Sequence, residues 1–162
     1  MKTFQQFTEA FNTKLNWKNI SRGAKFDPWD EDSGYRWVTY SANLKDGRVI
    51  EIIYMYTDVR QKSVEIVFGV DNSTSATGDG SQMEIFGAVI NHIKDWIGEH
   101  PTVRTAWFTA EKEYGADSSS RSKLYSRLIK RFASQVGFDV RERKSHWKDT
   151  SVTYYLKRKK MK

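Results

Sequence analysis

Apolar residues recur along this chain at two different periods. Phe4, Phe7, Phe11 and Leu15 lie three and four residues apart, which predicts an amphipathic helix over 3–16 with Thr3 placed to cap its start. The polar run Asp27-Pro28-Trp29-Asp30-Glu31-Asp32-Ser33-Gly34 reads as a loop. Strands are expected at 35–42, 48–57 and 62–70. In the last of these, Val64, Ile66, Phe68 and Val70 alternate with Ser63, Glu65, Val67 and Gly69. Asp46-Gly47 is a hairpin signal between the first two, so the three strands read as an antiparallel meander. The helical period returns over 81–97, where Phe86, Val89, Ile90, Ile93 and Ile97 form a stripe that Gly98 can end. A strand at 102–109 follows. A helix at 120–136 then buries Leu124, Leu128, Phe132 and Val136, and Gly137 suits the left-handed position past its end. Strands at 138–144 and 151–158 close the chain, with a short basic tail at 157–162.

The expected order is α-β-β-β-α-β-α-β-β, an α/β (α+β) arrangement. Its strand–helix–strand unit from 62 to 109 is a parallel crossover, expected to be right-handed, inside an otherwise antiparallel sheet. The length of 162 residues fits a single domain, 1–162. Six Trp, eight Tyr and nine Phe supply a core. The chain has no Cys, which rules out disulfides and thiolate metal sites and suits a reducing compartment. No apolar run approaches the ~20 residues that span a bilayer, and the start of the chain is polar and periodic, so no membrane partner and a cytoplasmic location are expected.

Charge sharpens the picture. The net charge is +7, yet residues 1–81 carry 10 Lys/Arg against 11 Asp/Glu, and residues 117–162 carry 14 against 4. So one-sided a field favours an acidic macromolecule, nucleic acid or protein, although a basic face can also serve solubility alone. Lys123, Arg127, Lys130 and Arg131 fall on the exposed side of the last helix, and Arg141, Arg143, Lys144, His146, Trp147 and Lys148 add cations and an aromatic ring. Cations neutralise phosphates and rings stack on unpaired bases. No recognised nucleic-acid motif accompanies them.

The other candidate site is the loop before the second helix, Ser75-Ala76-Thr77-Gly78-Asp79-Gly80, with Ser81 at the helix start. Two glycines allow close backbone approach, and free N–H groups and the helix dipole favour a phosphate there. Asp79 opposes an anion unless it turns away. An ordinary capped loop is the plainer reading. The histidines, His92, His100 and His146, show no spacing for metal ligation or for a nucleophile–base pair, so no metal is expected.

Element order and this loop together resemble the GNAT acetyltransferases, over roughly residues 35–158. In that family a loop reading Arg/Gln-x-x-Gly-x-Gly/Ala holds the pyrophosphate of acetyl-CoA, and Ser75, Gly78 and Gly80 fall on its spacing, with Ser75 in place of Arg/Gln. The family's Leu-Tyr-x-x-x-Gly-Phe segment is matched by Gly137-Phe138, with Ala133 at the tyrosine position and Ser126 at that of an upstream Asn. The resemblance implies a mixed, mostly antiparallel sheet with helices on both faces, acetyl-CoA as cofactor and N-acetyl transfer as activity, in an active or a degenerate form. Glu65 is then the candidate base and Tyr125 the candidate acid, two turns before the usual position. Their plainer readings are a solvent-facing strand residue and a packed helix residue. The chain is also similar to small phage-encoded proteins with a Thr-Gly-x-Gly loop and a Ser-Arg-x-Lys-Leu-Tyr segment, here Thr77–Gly80 and Ser120–Tyr125. The alternative reading, which the charge asymmetry supports, is a non-enzymatic phage-type binding protein in a host cytoplasm that acts on a host protein or nucleic acid through its basic C-terminal third.

Overall fold

Strict alternation sets the centre of the sheet. In β3 (Val49–Tyr56) Ile50, Ile52 and Tyr54 are fully buried and their neighbours half-covered, and β4 (Ser63–Val70) buries Val64, Ile66 and Val70. Residues two apart share a strand face, so this period commits one face of the sheet to the core. The computed structural model describes residues 14–27, 30–58, 60–71, 82–111, 126, 129–144 and 151–160.

Around β3 and β4 stand β1 (Lys18–Asp27), β2 (Asp30–Asn43), β5 (Thr105–Glu111), β6 (Phe138–Lys144) and β7 (Ser151–Arg158). The spatial order is β1-β2-β3-β4-β5-β7-β6. Every neighbouring pair is antiparallel except β4 and β5, which run parallel. α1 (Gln82–Glu99) makes the crossover between them, and α2, described as the helical residues 129–135, precedes β6. The expected mixed sheet is therefore observed, mostly antiparallel, with one parallel step near its middle; the expected helices on both faces are not seen among the described residues.

α1 lays Ile85, Phe86, Val89, Ile90, Ile93, Trp96 and Ile97 into the same cluster as Ile50, Ile52 and Tyr54, and α2 adds Ile129, Phe132 and Ala133. The two helices share one sheet face. Tyr54 stacks on Trp96 of α1, while Ser126 next to α2 donates to Glu142, whose register partner Tyr154 belongs to the same cluster. Among the described residues no helix lies on the other face.

Three boundaries differ from the sequence reading. The sheet has one strand more than expected, because Lys18–Asp27 pairs along β2 from Lys18↔Ser41 to Asp27↔Asp30. Asp27 and 30–34 are accordingly strand rather than loop. Of the helix expected at 3–16, residues 1–13 lie outside the described set and 14–17 are irregular, with Leu15 and Trp17 packed against the core. The hairpin at Asp46-Gly47 forms as expected: Gly47 adopts φ +87° and donates to the Leu44 carbonyl at 3.0 Å, while Asp46 accepts from the Arg48 N–H at 3.1 Å.

The C-terminal end of α1 is held by the last strand. The Arg158 Nε donates to the Val103 carbonyl at 2.9 Å and its Nη2 reaches the carbonyls of Ile97 and His100 at 3.5 Å each. Its guanidinium also lies 4.7 Å from the centre of the Phe138 ring. A cation here meets carbonyls that have no partner inside the helix and the negative end of its dipole.

Candidate active site

A parallel pair normally continues its ladder as far as both strands last. Here it does not. β4 and β5 are joined at Ser63↔Thr105, Val64↔Ala106 and Glu65↔Trp107, and no further pair forms between them. Neither strand ends there. β4 runs on against β3 as far as Val70↔Ile50, and β5 runs on against β7 as far as Glu111↔Ser151. Each strand follows its own outer neighbour, and the sheet opens into a fork. The inner edges over 66–70 and 108–111 therefore present peptide N–H and C=O groups that do not pair with one another, an arrangement that calls for an outside partner.

The fork has two unlike sides. On the helix side Phe68 and Phe108 face each other across the gap, with ring centres 6.3 Å apart, and Phe108 stacks on Tyr154 at 5.2 Å. Beyond them Ser126, Glu142 and Tyr154 form a hydrogen-bonded group. Burial is the main cause raising the Tyr154 phenol above its usual range; its bond with Ser126 opposes this and the Glu142 charge adds to it. On the other side stands Glu65, half-buried at the last closed position, with Met55 across one edge and Trp107 across the other.

At the mouth of the fork the chain leaves β4 through Asp71. This residue has φ +51°, donates its N–H to the Val49 carbonyl at 2.8 Å, and accepts the Val49 N–H on Oδ1 at 2.9 Å. α1 begins again at Gln82 and carries Glu84 in its first turn, with Oε1 buried and without a hydrogen-bond partner among the described residues.

The residues singled out by sequence separate into three groups. Glu65 stands at the apex of the fork, at the last position where β4 and β5 pair. The loop Ser75, Ala76, Thr77, Gly78, Asp79, Gly80 and Ser81, together with Tyr125, Lys123, Arg127 and Lys148, lies outside the described residues. Lys130 and Arg131 are exposed on the helix side; Lys130 is 3.5 Å from Glu142, so part of its charge is answered within the chain.

Two features escaped the sequence reading. One is the Ser126–Glu142–Tyr154 group, which only the β6–β7 register brings together. The other is an aromatic column beneath α1. Trp96 lies between Tyr54 and His100, each ring centre 4.0 Å away, and His92 lies among Trp17, Tyr40 and Tyr54. His92 Nδ1 and Tyr54 Oη share a hydrogen bond of 2.8 Å. Burial lowers His92 to about 4, against the pull of Asp95, and raises Tyr54 well above its ordinary value. Both are neutral near pH 7 and serve packing. Among the described residues no cluster of His, Asp and Glu is placed to hold a metal ion. An open pocket of about 450 Å³ lined by Lys94, Asp95, Ile97, Gly98, Glu99, Val136 and Arg158 lies at the opposite end of α1, away from the fork. No described helix is long and apolar enough to cross a membrane.

Comparison with known proteins returns distant structural likenesses only, to acetyltransferases. No family model matches the sequence and no curated protein is similar to it. Among solved structures, a chimera of the spermidine N-acetyltransferase SpeG of Vibrio cholerae and hSSAT is similar at 10% identity, with a TM-score of 0.42 over 75% of this chain and 67% of that one. A GNAT-family acetyltransferase of Streptococcus pneumoniae is similar at 16% identity, with a TM-score of 0.37 over 75% and 65%. An acetyltransferase of Bacillus subtilis in complex with CoA is similar at 18% identity, with a TM-score of 0.33 over 75% and 76%. These likenesses are distant; the architecture stands on the strand order, the parallel step and the fork.

Proposed function

We propose that this chain binds an acyl-coenzyme A, acetyl-CoA first among them, in the fork between β4 and β5 and transfers the acyl group to an amine. The observation that carries this reading is the parting of the two strands after Glu65↔Trp107 while each stays paired on its outer side. The unladdered peptide groups of 66–70 and 108–111 suit an extended chain of amides, such as the cofactor's arm, by completing its hydrogen bonds as an added strand would. The amides of 75–81 would hold the pyrophosphate. Bound acetyl-CoA supplies the acetyl group as an activated thioester.

The side chains have separable tasks. Phe68 and Phe108 wall the helix side with apolar surface and keep water from the gap. Glu65 accepts a proton from the acceptor nitrogen as the nitrogen–carbon bond forms and the carbon–sulfur bond breaks. The departing sulfur takes a proton, for which Tyr125 is the candidate donor. A carboxylate at the apex, rather than farther along β4, is the placement that lets one group reach a nucleophile entering from the face opposite the helices.

The test separates binding from chemistry. Acetyl-CoA at ~100 times its dissociation constant should add ~2.7 kcal/mol to stability and raise the melting temperature. Gly78→Val and Gly80→Val should abolish that shift. Glu65→Gln should keep the shift and lower kcat by ~10²- to 10⁴-fold. Unchanged melting at millimolar acetyl-CoA would rule out the cofactor.

A further inference from the structure

The sheet face opposite the helices carries its own pattern. Register partners Glu65, Trp107, Tyr155 and Arg141 form one straight row across β4, β5, β7 and β6. Trp107 and Tyr155 lie side by side with ring centres 6.4 Å apart. In the next row toward the start of β5, Lys157 stands beside Thr105; on the other side Thr109 and Thr153 share a hydroxyl–hydroxyl bond of 3.0 Å. Arg141 and Lys157 are exposed and have no ion-pair partner among the described residues; Asp139, the register partner of Lys157, lies 3.6 Å from the Lys159 ammonium, and Glu65 stands at the far end of the row.

We infer that this face of β5, β7 and β6 is a binding platform for single-stranded nucleic acid. Two neighbouring half-buried rings on this sheet face offer stacking surfaces to unpaired bases, and cations at the end and side of the row meet the phosphates. The threonine hydroxyls supply uncharged hydrogen-bonding groups beside them. An acidic protein would call on the cations alone, and a duplex hides the base faces that the rings would contact. The excess of 14 Lys/Arg over 4 Asp/Glu in residues 117–162 supplies the long-range attraction. Lys130 and Arg131, on the helix side, lie outside the platform. This inference is independent of acetyl transfer and survives a failure of acetyl-CoA to bind.

The experiment is a fluorescence-anisotropy titration of the full chain, without acetyl-CoA, using labelled oligothymidine and oligouridine of about twelve nucleotides and a duplex of equal length. One or both single strands should bind, which also tells DNA from RNA, and the duplex should bind more weakly. Trp107→Leu and Tyr155→Leu should each weaken binding by about ten-fold, while Trp107→Phe and Tyr155→Phe, which keep a ring, should retain most of it. Arg141→Gln and Lys157→Gln should each weaken binding and lower the slope of log affinity against log salt by about one. Lys130→Gln and Arg131→Gln should change little. The surface charge variants decide the matter even if a leucine variant fails to fold. Absence of binding at low salt, equal affinity for the duplex, or affinity that follows Lys130 and Arg131 instead of Arg141 and Lys157 would each overturn the inference.

Discussion

At the scale of single residues, burial decides what the ionisable groups can do. His92 would be a candidate catalyst by residue type alone, but its position among Trp17, Tyr40 and Tyr54 holds it at about 4, below the ordinary 6.5. The folded chain therefore binds fewer protons than the unfolded chain between those values. Stability should be constant in this respect above pH 6.5 and fall as pH drops toward 4. Urea midpoints measured across that window should fall less steeply for His92→Gln than for the parent chain; equal slopes would show that the imidazole is freely solvated. Arg158 is the converse case, a cation whose role is structural. Arg158→Met keeps a stem against Phe138 and removes the bonds to Val103, Ile97 and His100. The expected loss is about 1–3 kcal/mol in denaturant unfolding.

At the scale of elements, legibility followed how much each segment depends on its neighbours. β6 and β7 match the residues expected for them, because an alternating run bounded by Gly137, at φ +76°, is a local signal. β1 was illegible. Its sequence KNISRGAKFD has no alternation, and its Ile20 is 52% exposed, so the strand exists through its backbone pairing to β2. One residue in it is nonetheless specified: Gly23 faces Trp37 in register, and a methyl group there would overlap the indole ring. Gly23→Ala should push Trp37 aside and cost about 1–3 kcal/mol, read from the shift in thermal or urea unfolding. The site divided in the same way. Glu65 could be named from the alternation of β4, but its place at the apex depends on where β5 stops pairing, which is set by strand twist and by the pull of β3 and β7. The row from Glu65 to Arg141 joins residues from four strands and exists only as register.

At the scale of the whole molecule, the sheet separates two kinds of surface. One face is closed by α1 and α2 over a continuous apolar cluster. The other carries Glu65 at the fork and the rings and cations of β5, β7 and β6. The helical side thus supplies stability, while the chemistry and the recognition proposed above belong to the fork and to the face on which no described helix lies. The fork itself can be examined directly by backbone hydrogen exchange, comparing the free chain with the chain in acetyl-CoA. In the free chain, amides that point from 66–70 and 108–111 into the gap should exchange quickly, and they should become protected when the cofactor is added, with Ser63–Glu65 unchanged. Inner-edge amides already protected in the free chain, or equally fast with the cofactor present, would contradict an open, ligand-receiving fork.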